Sequence, residues 1–352
     1  MIDIDDTKLG QLEDIPHMTT LRMDVSDTER LSEAMKRFDL ISGALPSSLG
    51  FKSVSAAIEA RVSIVDMSFM PENPLVLHSS AEAARVTVVP DCGVAPGLSN
   101  ILVGRAFAQL DAVEEVHIVV GGLPRSPQPP LGYAVTWSVR DLVEEYVRPA
   151  RIVKNGLQTS IDPLSELSHV DVPGLGRLEA FYTDGLRTLL HTVTGVKEMD
   201  ERTLRHPGHV ERVKVLRDCG FFSDERVVID GCRVSPRDFS ASILSRSLVQ
   251  KDARDVTVLQ VKVSGEKRKQ RTTIQWRLLD HYDEVKGVSS MARTTAYTNV
   301  AVCTLLLQGL LKDRGVIPPE DLGMNNAHFL TIMTELEKRG VKAEGCINGL
   351  KV

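Results

Sequence analysis

The chain has no excess of positive charge: 42 Lys and Arg stand against 47 Asp and Glu, a formal net charge of −5. Phosphate backbones would meet no attractive field, so nucleic acid is not an expected partner. Long hydrophobic runs are missing too. The longest, Ala301 to Leu311, is interrupted by Thr304, Gln308 and Gly309, and it falls far short of the roughly 20 residues a membrane span needs. It reads as a buried helix, with no membrane partner. Cysteines are few, odd in number and scattered (Cys92, Cys219, Cys232, Cys303, Cys346), and no basic, apolar leader opens the sequence. The expectation is a reducing cytoplasm without a disulfide framework. Metal-ligand spacings are also scarce. His206 and His209 are spaced by three, but no nearby carboxylate or cysteine completes a set, so no metal is expected.

What is present suits a soluble protein with a sizeable core: 42% apolar and 25% charged residues. The 352 residues exceed the usual single-domain size, which favours two domains. Up to about residue 90, β-branched runs alternate with helical spacing. The runs are Met1 to Ile4, Thr19 to Met23, Leu40 to Ala44, Val62 to Val65 and Val86 to Val89; the helical stretches are Thr28 to Arg37, Gly50 to Ala60 and Leu77 to Arg85. This rhythm predicts an α/β fold with a doubly wound parallel sheet. The last run leads through Asp91-Cys-Gly-Val-Ala-Pro-Gly-Leu-Ser-Asn100 into a helix, the strand-to-helix crevice where small polar ligands sit in open α/β sheets.

Successive strand ends point to a dinucleotide. Asp3 closes the first run, where an acidic residue can accept both hydrogen bonds of an adenosine ribose, and Asp24-Val25 ends the next. Ala44-Leu45-Pro46 closes the following run with small residues and a turn that would let backbone approach a cofactor. Asp66, Ser68, Asp91 and Gly93 complete the expected contacts. NAD is the expected cofactor, with NADP the alternative. A solvated strand end is the competing reading at each position, and a parallel-sheet domain without a nucleotide site is the competing reading of the whole. The glycine fingerprint of such folds is absent: no G-x-G-x-x-G occurs, and the acidic ribose ligand normally follows that turn by roughly 20 residues. The sequence thus starts one βα unit too late. In the order 3-2-1-4-5-6 the lost strand is central and its absence would leave two edges unpaired, so Met1 is expected to be an internal or misassigned start.

Beyond Asn100 the texture changes. A helix at Leu98 to Leu110 is followed by extended runs at Glu115 to Val120, Ala134 to Trp137, Arg151 to Val153, Leu178 to Tyr182, Val256 to Ser264 and Arg271 to Leu279. The last two flank the polar Gly265 to Gln270 turn as an antiparallel hairpin. With helices at Asp141 to Tyr146, Asp184 to Thr192 and Val210 to Asp218, the expectation is an α+β substrate domain with a largely antiparallel sheet. Such sheets often carry contacts between copies, so a homo-oligomer is expected. A long helix at Met291 to Lys312, a second at Asn325 to Arg339, and a loose tail from Lys342 complete the reading. The boundaries are 1–95, 96–288 and 289–352.

The ordered set Ser68-Phe-Met-Pro-Glu72, Asp91 to Asn100, Gly121-Gly-Leu-Pro124, Thr136-Trp-Ser138, Asp184-Gly-Leu-Arg187, Thr203-Leu-Arg-His-Pro-Gly208 and Met291-Ala-Arg-Thr-Thr295 resembles the saccharopine dehydrogenase-like family, and within it most closely the lysine 6-dehydrogenases. The resemblance spans nearly the whole chain. It implies a Rossmann domain lacking its first βα unit, a discontinuous substrate domain, final helices that return to the dinucleotide domain, and NAD(P)-dependent oxidation at an amine-bearing carbon of lysine or a lysine conjugate. A binding module without catalysis is the alternative if the phosphate turn is truly missing.

Amine oxidation needs a deprotonated nitrogen, a hydride path and a water to attack the iminium, so a base is sought. His206 and His209, flanking Pro207-Gly208, are one choice and Asp91 is another, with solvated imidazoles and a simple turn cap as the bland readings. A substrate carboxylate would suit Arg187, in the first turn of the expected helix, or Arg205, since a guanidinium matches a carboxylate bidentately; either could also be an ordinary ion pair. Gly97, Ser99 and Gly122 are further candidate contacts, and Trp137 is a candidate pocket wall. Cys92 has no activator and reads as packing.

Overall fold

The β-branched runs of the first third pack as parallel strands in the computed structural model, which describes residues 1–250 and 253–351. Strands Leu40–Gly43, Ser63–Asp66, Thr87–Val89 and the late Gly315–Val316 form one parallel sheet. Helices Ser47–Ala60 and His78–Ala84 fill the crossovers, each ended by an arginine in the left-handed region, Arg61 and Arg85 (φ 59° at both). Strands Ile2–Asp3 and Leu21–Arg22 pair parallel with each other but share no ladder with that sheet. Met23, Leu31 and Met35 nevertheless enter the same apolar core as Val54, Ile64 and Val88. The two strand groups are thus joined by side-chain packing and not by a shared ladder among the described residues.

Helix Leu98–Phe107 carries the chain into a ten-stranded mixed sheet. At its centre Ala112–Pro124 runs parallel to Glu198–Arg205 and antiparallel to Asp255–Lys267, which pairs with Gln270–His281 across its whole length. The hairpin matches expectation, and its turn is tighter: Arg268 and Lys269 take φ 52° and 62°, the double positive φ of a two-residue connection. Helix Ser290–Leu307 then returns to the parallel sheet, where Asn299 donates to the Val65 carbonyl (3.0 Å) and accepts from the Ser42 hydroxyl (2.7 Å).

Three expectations change, and one strand has no counterpart among them. Ala134 to Trp137 is a loop, packed into an apolar core by Val135 and Trp137 and joined by an isolated bridge from Val135 to Val249. The helix expected from Asp184 shrinks to Leu189–Thr192, because Asp184 is held by Arg151 and Arg187 by Asp91, and these bonds pull Arg187 to φ 53°. The tail is not loose: Ala343–Ile347 pairs along Gln270–His281 and Leu350–Lys351 turns back on it, with Val352 outside the described residues. Glu198–Arg205, unexpected from its charged letters, is a buried central strand. Among the described residues no helix is long and apolar enough to cross a membrane.

Candidate active site

A cavity of about 260 Å³ opens where the C-terminal ends of the parallel strands face the mixed sheet. One wall comes from the segments after those strands: Leu45, Met67 to Phe69, and Gly93 to Pro96. The opposite wall is Gly121 and Gly122 of strand Ala112–Pro124 with Glu201, Thr203 and Arg205 of Glu198–Arg205. Helix Val139–Val147 adds Asp141 and Glu145, the preceding loop Tyr133, Thr136 and Trp137, and helix Ser290–Leu307 Met291 and Thr295.

Strand periodicity explains the polar wall. Side chains alternate between faces, so Met199, Glu201, Thr203 and Arg205 project together, Met199 into the apolar core and the other three into the cavity. Gly121 of the neighbouring strand is required by close approach, since a β-carbon there would lie 2.7 Å from that of Leu204, whereas one at Gly122 would meet the terminal Met291 methyl, the end of a flexible side chain.

Arg205 is almost fully buried. Its guanidinium donates to Glu145 (2.6 Å) and to the Leu204 carbonyl (2.9 Å) and lies 4.3 Å from the centre of the Tyr133 ring, while its Nε has no partner among the described residues. Glu201 is also buried. Its Oε1 accepts from the Thr183 hydroxyl (3.3 Å), which lies 3.0 Å from that of Thr203, and its Oε2 has no partner among the described residues. Burial pushes the Glu201 carboxyl up to about 8, with the charges of Glu145, Asp184 and Asp200 adding to the effect. Burial raises Glu145 as well, against the pull of Arg205. Asp141 accepts from Ser47 at the start of helix Ser47–Ala60, linking the two sides of the cleft.

The expected residues divide. Leu45, Ser68, Gly93, Gly122, Trp137 and Arg205 line the cavity. Ala44 and Pro46 flank Leu45. Asp66 and Asp91 are buried outside the wall: Asp66 accepts from the Ser68 amide (2.9 Å) and hydroxyl (3.2 Å) and is pushed by burial to about 7, and Asp91 takes the Arg187 guanidinium at 3.1 Å. Arg187 is thereby used internally, and its other partner is the Glu72 carbonyl (3.1 Å). Gly97 stands at φ 128° against the Gly93 backbone, and Ser99 donates to Asn100 (3.0 Å); neither is in the wall. Asp3 and Asp24 cap turns by accepting from Asp5 N (3.0 Å) and Ser26 N (2.9 Å), with Val25 packed at the edge of the first core.

The two histidines are corrected. His206 Nε2 is 2.8 Å from the Pro124 carbonyl, and His209 is fully buried between the Leu131 carbonyl and the Tyr146 hydroxyl, both at 2.9 Å. Burial drives the His209 imidazole down to about 3, and neither ring lines the cavity. They brace loop against helix. The helix start behind them is no solvated surface either, since the Gly208 and Val210 amides donate to Glu179. Glu201, Thr203, Glu145, Asp141 and Thr183 were not anticipated; the signal was the alternation Glu201-x-Thr203-x-Arg205 beside a glycine pair. Among the described residues no group of three or more His, Cys, Asp or Glu could hold a metal.

Comparison with known proteins agrees with this architecture. Residues 1–89 match the family model described as the saccharopine dehydrogenase NADP binding domain, and residues 93–341 match the saccharopine dehydrogenase C-terminal domain. A saccharopine dehydrogenase [NADP(+), L-glutamate-forming] of Pyricularia oryzae is 22% identical over 94% of this chain and 89% of its own. An alpha-aminoadipic semialdehyde synthase of Arabidopsis thaliana is 24% identical over 67% of this chain, which spans 24% of that larger protein. The solved apo saccharopine dehydrogenase (L-Glu forming) of Saccharomyces cerevisiae superposes with a TM-score of 0.78 over 98% of this chain and 93% of its own, at 20% identity. With both domain models matched in order across the cleft, the chain belongs to the saccharopine dehydrogenase family.

Proposed function

We propose that the protein is an NAD(P)-dependent amino-acid dehydrogenase that oxidises the ε-amine of L-lysine to the 6-semialdehyde, which cyclises to piperideine-6-carboxylate. The charge balance of the cavity carries this reading. Among the described residues its wall holds three carboxyl side chains, Asp141, Glu145 and Glu201, and one cation, Arg205, which Glu145 already engages. Such a wall suits a substrate with one carboxylate and a basic amine. A conjugate bearing three carboxylates would find, among the described residues of the wall, only that one engaged cation to answer them, and an unpaired carboxylate costs several kcal/mol when desolvated. The names of the full-length relatives favour a second reading, oxidation of the secondary amine of saccharopine.

The cofactor end is supported at the nicotinamide side. Three successive parallel strand ends open onto the cavity through Leu45, Ser68 and the small residues Gly93 and Ala95, the place where open α/β sheets hold such groups. The match of residues 1–89 to an NADP binding domain favours NADP over NAD. When bound, the nicotinamide supplies the hydride acceptor; the protein's own groups bind the amino acid, exclude water and move the amine proton. In this reading Arg205 takes the substrate carboxylate through its Nε–H, which has no partner among the described residues, with Trp137 and Tyr133 shielding the site. A homo-oligomer belongs to this reading and is checked by light scattering. The reading itself is tested by following reduction of NADP+ and NAD+ with L-lysine and saccharopine side by side, and preferential turnover of saccharopine would replace it with the second reading.

A further inference from the structure

We propose that the Glu201 carboxyl is the docking group for the substrate's amine and the acceptor of its proton. The inference rests on the reading above for the identity of the amine, and on the geometry of the cavity for everything else. A carboxyl oxygen buried without a partner is costly, and Glu201 Oε2 has none among the described residues, on a side chain that lines the cavity. The carboxyl is also held in place. Thr183 engages only Oε1, and Gly185 leaves the space the carboxyl needs, because a β-carbon there would fall inside it.

What the pocket lacks near Glu201, among the described residues, is an unengaged cation. Asp141 and Glu145 line the cavity with it from helix Val139–Val147 and Arg205 from the same face of its own strand, while Asp184, from the segment before Leu189–Thr192, and Asp200, on the opposite face of the strand, act on it through charge. Arg205 is engaged by Glu145, and Asp184 is engaged by Arg151 at 2.8 Å. An ammonium is the group that satisfies Oε2. Arg205 is four residues along the same face, so its Cα lies about 13 Å from that of Glu201. The pair forms a two-ended ruler for an ω-amino acid, carboxylate toward Arg205 and amine toward Glu201.

The proton steps balance. A protonated Glu201 that meets an ammonium releases its proton to solvent and forms a carboxylate–ammonium pair. One N–H bond of the ammonium then breaks as an O–H bond forms at Oε2, which leaves a neutral nitrogen whose lone pair is free to form C=N. The raised carboxyl, at about 8, is matched to that exchange.

The test is calorimetric titration of L-lysine and of L-norleucine, which lacks the amine, into the NADPH-saturated protein and its Glu201→Gln variant. NADPH affinity by fluorescence serves as the check on folding. Lysine should bind Glu201→Gln at least about ten-fold more weakly, with norleucine and NADPH unchanged within about two-fold. In the unaltered protein, lysine binding near pH 7 should release close to one proton, and the release should fade by about pH 9.5, where Glu201 is already ionised. Should Glu201→Gln fail to fold, the proton count alone decides. Unchanged lysine affinity in the variant, no proton release, or no binding of lysine to the unaltered protein overturns the proposal. Lysine that binds through Glu201 but is not oxidised sinks the dehydrogenase reading and leaves the docking role intact.

Discussion

The parallel-sheet wall of the cavity and the wall made by Glu198–Arg205 bury polar groups in opposite ways. In the first, strands Ser63–Asp66 and Thr87–Val89 bury Ile64, Val65, Val88 and Val89, and the acids at their ends are answered within the protein, Asp66 by Ser68 and Asp91 by Arg187. In the second, Glu201 and Arg205 are equally buried, yet each keeps one polar atom without a partner among the described residues. The first wall is therefore a scaffold that places backbone beside the cleft. The second is the wall that waits for a ligand, since unanswered buried polar atoms gain most when a complementary group arrives.

Breaking the second wall should have the largest effect. Arg205→Ala removes the partner of Glu145 and should cost about 3–5 kcal/mol, read by chemical denaturation, with lysine binding abolished. Next is the pH dependence set by Glu201. Because its carboxyl is raised from 4.5 to about 8 in the fold, the fold is favoured below the lower value and loses that advantage as pH rises through the higher one. Relative to Glu201→Gln, the unaltered protein should therefore lose on the order of 2–4 kcal/mol of stability between those values. A flat difference between the two denaturation curves across this range would contradict it. Gly185→Ala should push the Glu201 carboxyl aside, cost roughly 1–3 kcal/mol, and weaken lysine binding more than NADPH binding. The smallest effect sharpens the contrast from the scaffold side: Ile64→Val should cost about 0.5–1.5 kcal/mol and leave the lysine-to-saccharopine preference unmoved.

The same contrast governs how much was legible in the sequence. Hydrophobic periodicity carried the parallel strands and the Asp255–Lys267/Gln270–His281 hairpin, where pattern and burial agree. It offered no strand at Glu198–Arg205, whose charged letters mask the buried face until Glu145 and Thr183, distant in sequence, are folded against it. Conflict between local pattern and burial is expected at functional sites. The histidines misled in the other direction. Spacing and a Pro-Gly turn suggested chemistry, whereas the Leu131 and Pro124 carbonyls, invisible in sequence, consume their ring nitrogens. Arg187 was sought as a carboxylate clamp for the same reason, before its internal partner Asp91 was seen. Arg205, Gly122 and Trp137, sought as substrate contacts, do line the cavity, the glycine pair and the arginine sitting beside recognisable turns.

The most direct test of the central claim, that the polar wall selects a lone basic amine, is the ratio of kcat/KM for L-lysine to that for saccharopine with NADP+ as oxidant. The account predicts a ratio above about ten in favour of lysine, since among the described residues the wall offers the three-carboxylate substrate no cation beyond Arg205, which Glu145 already engages. A ratio below one would contradict it.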